Sequence, residues 1–216
     1  MAKTVTAAEM KERERAANEA GLLYIQMMEN AGRAAYAELK RRVPALRRLL
    51  IVAGKGNNGG DGFVMARVAA KEGVQVRVLL AEGEPKTADA KTNLARLAET
   101  AAEIVRDTEQ AAFGADAVVD ALYGTGFHGE LRPGGAAACA LMGRERERGA
   151  FVLALDLPSG VSADSGEVAE GAVQADATVT FDCTKPLHFA KASKPLCGAL
   201  VCADIGIGKA LGEHET

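Results

Sequence analysis

The most informative segment of this sequence is Leu49-Leu50-Ile51-Val52-Ala53-Gly54-Lys55-Gly56-Asn57-Asn58-Gly59-Gly60-Asp61-Gly62. Its apolar start predicts a buried β-strand, and the amphipathic stretch 62–72 that follows predicts a helix. A glycine-rich turn between a strand and a helix is typical of a site where helix N-terminal amides bind a phosphate group. We expect these glycines to adopt positive φ and to let a ligand approach the main chain.

The same alternation continues toward the C-terminus. Six more short apolar runs, each a predicted strand, occupy 74–81, 102–107, 115–124, 150–158, 177–183 and 198–206. Helix-like stretches at 86–100 and 134–148 separate the earlier runs, which is the pattern of right-handed βαβ crossovers. The sequence therefore predicts an α/β, three-layer Rossmann-like fold with a largely parallel central sheet and helices on both faces. The last three runs lie close together in sequence and are predicted to pair at one edge.

The domain organisation is predicted to be simple. Residues 1–48 carry apolar side chains at three- and four-residue steps, which predicts a helical N-terminal extension. Residues 49–208 form the predicted Rossmann-like core. No linker or internal repeat divides the sequence, so we expect a single domain over 1–216.

Composition excludes several functional classes. The formal charge of -3 offers no bulk attraction for nucleic acid or an anionic membrane. No apolar run is long enough to span a bilayer, and the charged start does not match a signal peptide. We therefore expect a cytoplasmic protein with a small-molecule partner. The four cysteines and three histidines show no zinc-site spacing, so catalysis would depend on carboxylates, hydroxyls and backbone groups.

Two further predicted strands end in polar turns. Asp120 is followed by the glycine-rich segment 121–130, and Asp156 by Leu157-Pro158-Ser159-Gly160. Parallel strands place such turns at one edge of the sheet, where α/β proteins bind ligands. Each polar residue alone could equally satisfy its own turn backbone, an Asx turn at Asn58 or a cap at Ser159. Taken together, the three turns favour a shared site.

These turns resemble motifs of the YjeF N-terminal domain family, the NAD(P)H-hydrate epimerases. The matching segments occur in the order of that family: Met28-Glu29-Asn30-Ala31-Gly32, then 56–62, then Asp120 to Gly126, then Asp156 to Gly160. The resemblance extends from about Thr6 to Gly208. It implies an isomerase that interconverts the R and S epimers of hydrated NADH or NADPH in nicotinamide nucleotide repair.

The resemblance also implies a set of site residues. The substrate would contact Asn57, Asn58, Gly59, Gly60, Asp61, Gly124, Thr125, Gly126, Phe127, His128, Gly129, Glu130 and Asp156. A potassium ion would be held by Asn58, Asp120 and Ser159, whose hard oxygen donors suit an alkali cation and not zinc. Asp156 would be the catalytic acid/base at the hydroxyl-bearing carbon next to the ring nitrogen.

Other interpretations stay open. The pattern Gly54-x-Gly56-x-x-Gly59 formally matches a dinucleotide fingerprint, so an oxidoreductase with Glu82 on the ribose is one alternative. A non-catalytic nucleotide-binding or protein-interaction module of the same fold is another. We expect His128 to be an exposed loop residue, and Lys185 to attract a phosphate or to be a solvated turn lysine. A separate dehydratase polypeptide and a homodimeric assembly are the expected partners.

Overall fold

The computed structural model of this protein describes residues 3–213. The predicted positions 1, 2 and 214–216 of the domain lie outside these residues. Seven strands form one sheet: β1 (Arg48–Ala53), β2 (Gln75–Leu80), β3 (Glu103–Val105), β4 (Ala117–Ala121), β5 (Phe151–Leu155), β6 (Ala177–Phe181) and β7 (Ala199–Ala203). Each strand lies within one of the seven runs predicted from the sequence, apart from Arg48 at the start of β1.

Helices precede β1, connect the earlier strands and follow β7. They are α1 (Ala7–Glu19), α2 (Tyr24–Arg42), α3 (Asn57–Lys71), α4 (Ala88–Leu97), α5 (Thr108–Ala111), α6 (Pro133–Glu147) and α7 (Ile207–Ala210). Helix α1 begins with a capping box, in which the Thr6 side chain accepts from the Glu9 backbone amide while the Glu9 carboxylate accepts from the Thr6 amide. Helices α1 and α2 confirm the helical N-terminal region.

All strand pairs of the sheet are parallel, in the order β3-β2-β1-β4-β5-β6-β7. The chain therefore moves outward from β1 to β3 on one side, and from β4 to β7 on the other. The strand order reverses between β1 and β4, and ligands of doubly wound sheets bind outside the carboxyl ends of the strands at such a point. Strands β5, β6 and β7 do occupy one edge, as the spacing of the last three runs predicted.

Alternating side chains of β1 show why both faces of the sheet are covered. Leu49, Ile51 and Ala53 belong to a core shared with α1 to α4, whereas Leu50 and Val52 belong to a second core shared with α5 and α6. Strands buried on both faces lose the polar alternation of a half-exposed sheet, hence the continuous apolar runs. The three-layer Rossmann-like fold is confirmed.

The glycines after β1 serve a different purpose from the one predicted. None of Gly54, Gly56, Gly59, Gly60 or Gly62 has positive φ. A Cβ on Gly54 would lie 1.8 Å from the Leu122 carbonyl oxygen, and one on Gly59 would lie 2.2 Å from the Gly54 oxygen. Most of these glycines thus allow protein segments to touch each other, and Gly56 alone of the five faces open space.

No helix within residues 3–213 is both long enough and apolar enough to cross a membrane.

Candidate active site

The turns after β1, β4 and β5 meet at the strand-order reversal. A Cβ on Gly124 would lie 3.4 Å from the Asn58 Cβ and 4.0 Å from the Asp156 Oδ2 atom. The Ser159 backbone amide donates to Asp120 across the same gap. Residues that are far apart in sequence thus form one polar site, as predicted.

Asp120 and Ser159 form its buried centre, and neither is exposed to solvent. The Asp120 Oδ1 atom accepts from the Ser159 hydroxyl at 2.6 Å, and Oδ2 accepts from the Ser159 amide at 2.7 Å. Burial raises the pKa of Asp120 to about 6, although the hydrogen bonds from Ser159 and the Leu122 amide oppose this shift. A nearby cation would favour the ionised form of this carboxyl group.

Asn58 lies beside this pair, in the first turn of α3. Its amide nitrogen donates to the Tyr123 carbonyl oxygen at 2.9 Å, and the Tyr123 amide donates to the Ser159 hydroxyl at 3.0 Å. Among residues 3–213, the buried Asn58 Oδ1 atom has no hydrogen-bond partner. A buried amide oxygen without a partner costs free energy, so its retention points to a ligand that supplies positive charge or a donor.

Asp156 follows β5 in a left-handed backbone conformation, with φ of 64°. Non-glycine residues rarely adopt this conformation, and such strain is found mainly at functional sites. Its Oδ1 atom is 2.5 Å from the Lys185 Nζ atom and 2.9 Å from the Thr180 hydroxyl. The Lys185 side chain is only 1% exposed, whereas that of Asp156 is 13% exposed. The ion pair with the buried Lys185 therefore fixes one carboxylate oxygen of Asp156.

His188 holds the strained backbone of Asp156 in place. Its Nε2 atom is 3.0 Å from the Asp156 carbonyl oxygen, while Nδ1 accepts from the Lys185 amide at 2.9 Å. Burial lowers the pKa of His188, although the nearby Asp156 charge opposes that shift. The neutral ring with a proton on Nε2 fits both contacts, because Nε2 must donate and Nδ1 must accept.

A cleft of about 540 Å³ opens over these turns, between the strand ends and α1. Helix α1 contributes one wall, and the polar residues opposite include Asn57, Thr87, Asp89 and Thr125. A narrower extension of about 70 Å³ continues inward past Asp61 to Met28 and Phe181. Because Glu14 and Asn57 line both parts, the two form a continuous cleft.

Two carboxyl groups of the cleft, those of Asp61 and Glu14, have raised pKa values. Burial raises the pKa of Asp61 well above 3.8, with a further contribution from the charges of Asp156 and Glu14. Burial also raises the pKa of Glu14, and the charge of Asp156 adds to that effect. Within residues 3–213, neither carboxyl group accepts a hydrogen bond or forms an ion pair. Both are therefore available to a ligand.

The segment 124–130 divides between two surfaces. Thr125 and Gly126 line the cleft, but Gly129 and Glu130 line a separate groove beside Val168. Phe127 stacks on Tyr123, with ring centroids 5.0 Å apart. His128 is exposed, as expected, and its Nδ1 atom is 3.1 Å from the Gly126 carbonyl oxygen. The structure thus brings only the first part of this segment toward Asp156.

Two other predicted substrate contacts are buried against the protein. Gly59 packs on Gly54, and a Cβ on Gly60 would lie 2.5 Å from the Met28 sulfur. Glu82, the ribose ligand of the oxidoreductase alternative, instead accepts a 2.8 Å hydrogen bond from the Tyr123 hydroxyl. This contact gives Glu82 a structural partner on the α6 side of the sheet.

Sequence reasoning missed three residues of the site. Lys185 was expected in a solvated turn or on a phosphate, but it is buried in the ion pair with Asp156, so the solvated-turn expectation is wrong. His188 and Glu14 carried no expectation at all. A usable signal for Lys185 was its position in the turn that follows β6, because β6 pairs with β5, the strand that immediately precedes Asp156.

Comparisons with known proteins agree with this geometry. The model of the family described as YjeF-related protein N-terminus matches residues 24–187. An NAD(P)H-hydrate epimerase of Pirellula staleyi is 40% identical, over 90% of this chain and 88% of that protein. A bifunctional NAD(P)H-hydrate repair enzyme, Nnr, of Coxiella burnetii is 37% identical over 93% of this chain. This chain spans only 41% of that bifunctional relative.

A solved structure supports the fold independently. The crystal structure of the yeast protein ynu0 superposes with a TM-score of 0.76, covering 94% of this chain and 88% of that one, at 20% identity. At this identity the likeness concerns the fold alone. The family match over residues 24–187 and the identity to the Pirellula protein go further: the chain belongs to the family of YjeF-related protein N-termini.

Proposed function

We propose that this protein is an NAD(P)H-hydrate epimerase, an isomerase that interconverts the R and S epimers of hydrated NADH and NADPH. The Pirellula relative, which bears that name, aligns along nearly its whole length with this chain. The observation that carries the proposal is Asp156, a strained carboxylate at the strand-order reversal with Oδ1 bound to Lys185 and Oδ2 directed toward Gly124.

The reaction needs proton transfer without redox chemistry. In the hydrated nicotinamide ring, the hydroxyl group is on a carbon bonded to the ring nitrogen. Loss of that hydroxyl as water leaves an iminium ion, and addition of water to the other face gives the opposite epimer. We assign Asp156 as an acid/base for this exchange, a role that contributes about 10²- to 10⁴-fold to a rate.

The Lys185 contact suits Asp156 to this role. With Oδ1 held by Lys185 and Thr180, the carboxylate cannot rotate freely, and Oδ2 is the atom left for the substrate. The hydrogen bond from His188 to the Asp156 carbonyl oxygen fixes the backbone that carries this carboxylate. Such preorganisation reduces the cost of reaching the reactive geometry.

We also propose a potassium site formed by Asn58, Asp120 and Ser159. The buried Asn58 Oδ1 atom, which has no hydrogen-bond partner in the described part of the chain, supports it, as does the hard oxygen chemistry of the three donors. When bound, the ion would supply a positive charge that offsets the buried Asp120 carboxylate. The three residues come from three different turns, so together they would fix the turns relative to one another.

The alternatives account for less of the site. An oxidoreductase would need Glu82 free for a ribose, but Glu82 is bonded to Tyr123. A non-catalytic module would not require the strained backbone of Asp156 or the carboxyl groups of the cleft that have no partner among residues 3–213.

The bifunctional relatives bear the name of repair enzymes, so we infer that a dehydratase acts on the same hydrates. The homodimer stays a prediction.

Chromatographic separation of the R and S hydrates tests the function directly. We expect the purified protein to interconvert the separated epimers, and the Asp156→Asn variant to lose at least about 10²-fold in rate. NADH affinity should change much less, because the variant removes a charge and not the cleft. A fully active Asp156→Asn variant would refute the assignment of this residue, and an inactive wild-type protein would refute the function itself.

A further inference from the structure

Glu14 is the one acidic residue of α1 that lines the cleft. Glu14 lines both the wide part of the cleft and its narrow inner extension, and Asp61 also lines the inner extension. Among residues 3–213 it has no hydrogen bond or ion pair, whereas its neighbours Glu9 and Glu12 have local partners, the Thr6 amide and Arg15. The cost of partly burying Glu14 is therefore not offset by any contact within this part of the chain.

Helix α1 is held firmly over the strand ends. Thr4 pairs with Thr184, the Ala7 amide donates to Asp164 at 2.7 Å, and Arg13 donates to Asp182 at 3.0 Å. A ring bound in the cleft would lie between the end of β5 and this helix. Glu14 would face one side of the ring. The other side would be turned toward Asp156, whose Oδ2 atom lies beside Gly124, next to the lining residues Thr125 and Gly126.

Inversion through loss of water makes two demands on the protein. A proton must be given to the hydroxyl that leaves from one face, and a proton must be taken from the water that adds to the other face. One carboxyl group on one side of the ring can reach only one of these oxygens. Two carboxyl groups on opposite sides satisfy both demands, and burial, which raises the pKa of Glu14, favours the protonated form that gives the first proton.

We propose that Glu14 is a second catalytic residue of the epimerase, paired with Asp156 across the nicotinamide ring. In one direction Glu14 donates its proton to the departing hydroxyl, the C–O bond breaks, and the electron pair stays on the oxygen that leaves as water. Asp156 then takes a proton from the water that bonds to the other face of the iminium carbon. The reverse direction exchanges these roles, so water, protons and electrons balance without an oxidant or reductant. This inference rests on the proposed function.

The charged groups that act on Glu14 are Asp156, Asp61, Asp182, Lys185 and Lys11. Lys185 is paired with Asp156, and Arg13 with Asp182. Once Glu14 has given up its proton, its carboxylate would stabilise the positive charge of the iminium ion. Ring opening to a neutral aldehyde would gain nothing from that charge.

The test compares Glu14→Gln with Glu12→Gln, a matched change on the exposed side of the same helix. We expect Glu14→Gln to lower the epimerisation rate constant at saturation about 10²-fold or more, with NADH affinity within about threefold of wild type. It should also remove one limb of the pH–rate profile. Glu14→Asp should recover part of the rate, and Glu12→Gln should behave as wild type.

Labelled water provides a second readout. If the hydroxyl leaves and returns as water, each inversion in H2(18)O introduces one labelled oxygen, whereas ring opening and closure retain the original oxygen. Inversion without label would overturn the proposal, and so would a Glu14→Gln variant with wild-type rate or a loss confined to NADH affinity.

Two further measurements show whether a negative result comes from unfolding of the variant, from failure of the proposed function, or from failure of this inference alone. Thermal melting should show Glu14→Gln to be at least as stable as wild type near pH 7, because it removes a partly buried carboxyl group that has no hydrogen-bond partner among residues 3–213. If Glu14→Gln unfolds, the pH profile of Glu14→Asp decides the question, since an unchanged profile would refute the role. A wild-type protein without epimerase activity would refute the proposed function, whereas an active wild type with an equally active Glu14→Gln refutes only this inference.

Discussion

Replacing Lys185 by methionine should reveal how much the buried ion pair with Asp156 contributes to stability. The Lys185 ammonium group contacts the Asp156 carboxylate at 2.5 Å and the Thr180 hydroxyl at 2.9 Å. Removing one partner of a buried pair typically costs about 3–5 kcal/mol, because the other charge stays buried without compensation. Asp156 keeps 13% exposure and the Thr180 hydrogen bond, so we expect a loss of about 3 kcal/mol for Lys185→Met.

Urea denaturation followed by circular dichroism measures this loss at pH 7. The exposed Lys191→Met serves as the matched control, for which we expect a change within about 0.5 kcal/mol. The double variant Lys185→Met with Asp156→Asn should recover much of the stability, since no unpaired charge remains. A single-variant loss below about 1 kcal/mol, or a double variant whose loss equals the sum of the two single losses, would refute this reasoning.

Three further predictions concern the turns and the cleft. Gly54→Ala places a Cβ 1.8 Å from the Leu122 carbonyl oxygen, so thermal melting should show a destabilisation of several kcal/mol, and an unchanged melting temperature would contradict it. Asp61 has a raised pKa in the folded state, so its stabilising contribution is present below pH 3.8 and is lost as pH rises through the folded value. Asp61→Asn should therefore exceed wild type in unfolding free energy at pH 7 and converge with it near pH 4; a constant difference would exclude this cause. Potassium should stabilise the protein relative to sodium, by about 2.7 kcal/mol at 100 times its dissociation constant, and Asn58→Ala should abolish this increment.

The sequence predicts the sheet well because its strands are buried on both faces. The run 49–53 is apolar throughout, and 117–121 is apolar apart from Asp120, so both are recognisable without their neighbours. Their parallel direction follows from the helical crossovers predicted between them. The convergence of Asp120 and Asp156 then follows, because parallel strands end at a common edge.

The chemistry around these residues is harder to predict, because it depends on contacts between distant segments. Nothing in the local sequence of Lys185 indicates that a strained aspartate 29 positions earlier accepts its charge. The glycines after β1 show the same difficulty. Their spacing fits a phosphate loop, yet Gly54 and Gly59 are required by the Leu122 carbonyl and by each other. The partners of a glycine are visible only in three dimensions.

Helix α1 has a consequence for how this family is surveyed. The family match begins at Tyr24, after α1 has ended. A fragment trimmed to the matched residues would retain β1 to β6 but lose β7, and its cleft would lack the wall formed by α1 and the carboxyl group of Glu14. An alignment or an activity screen restricted to that fragment would overlook the helix that covers the cleft.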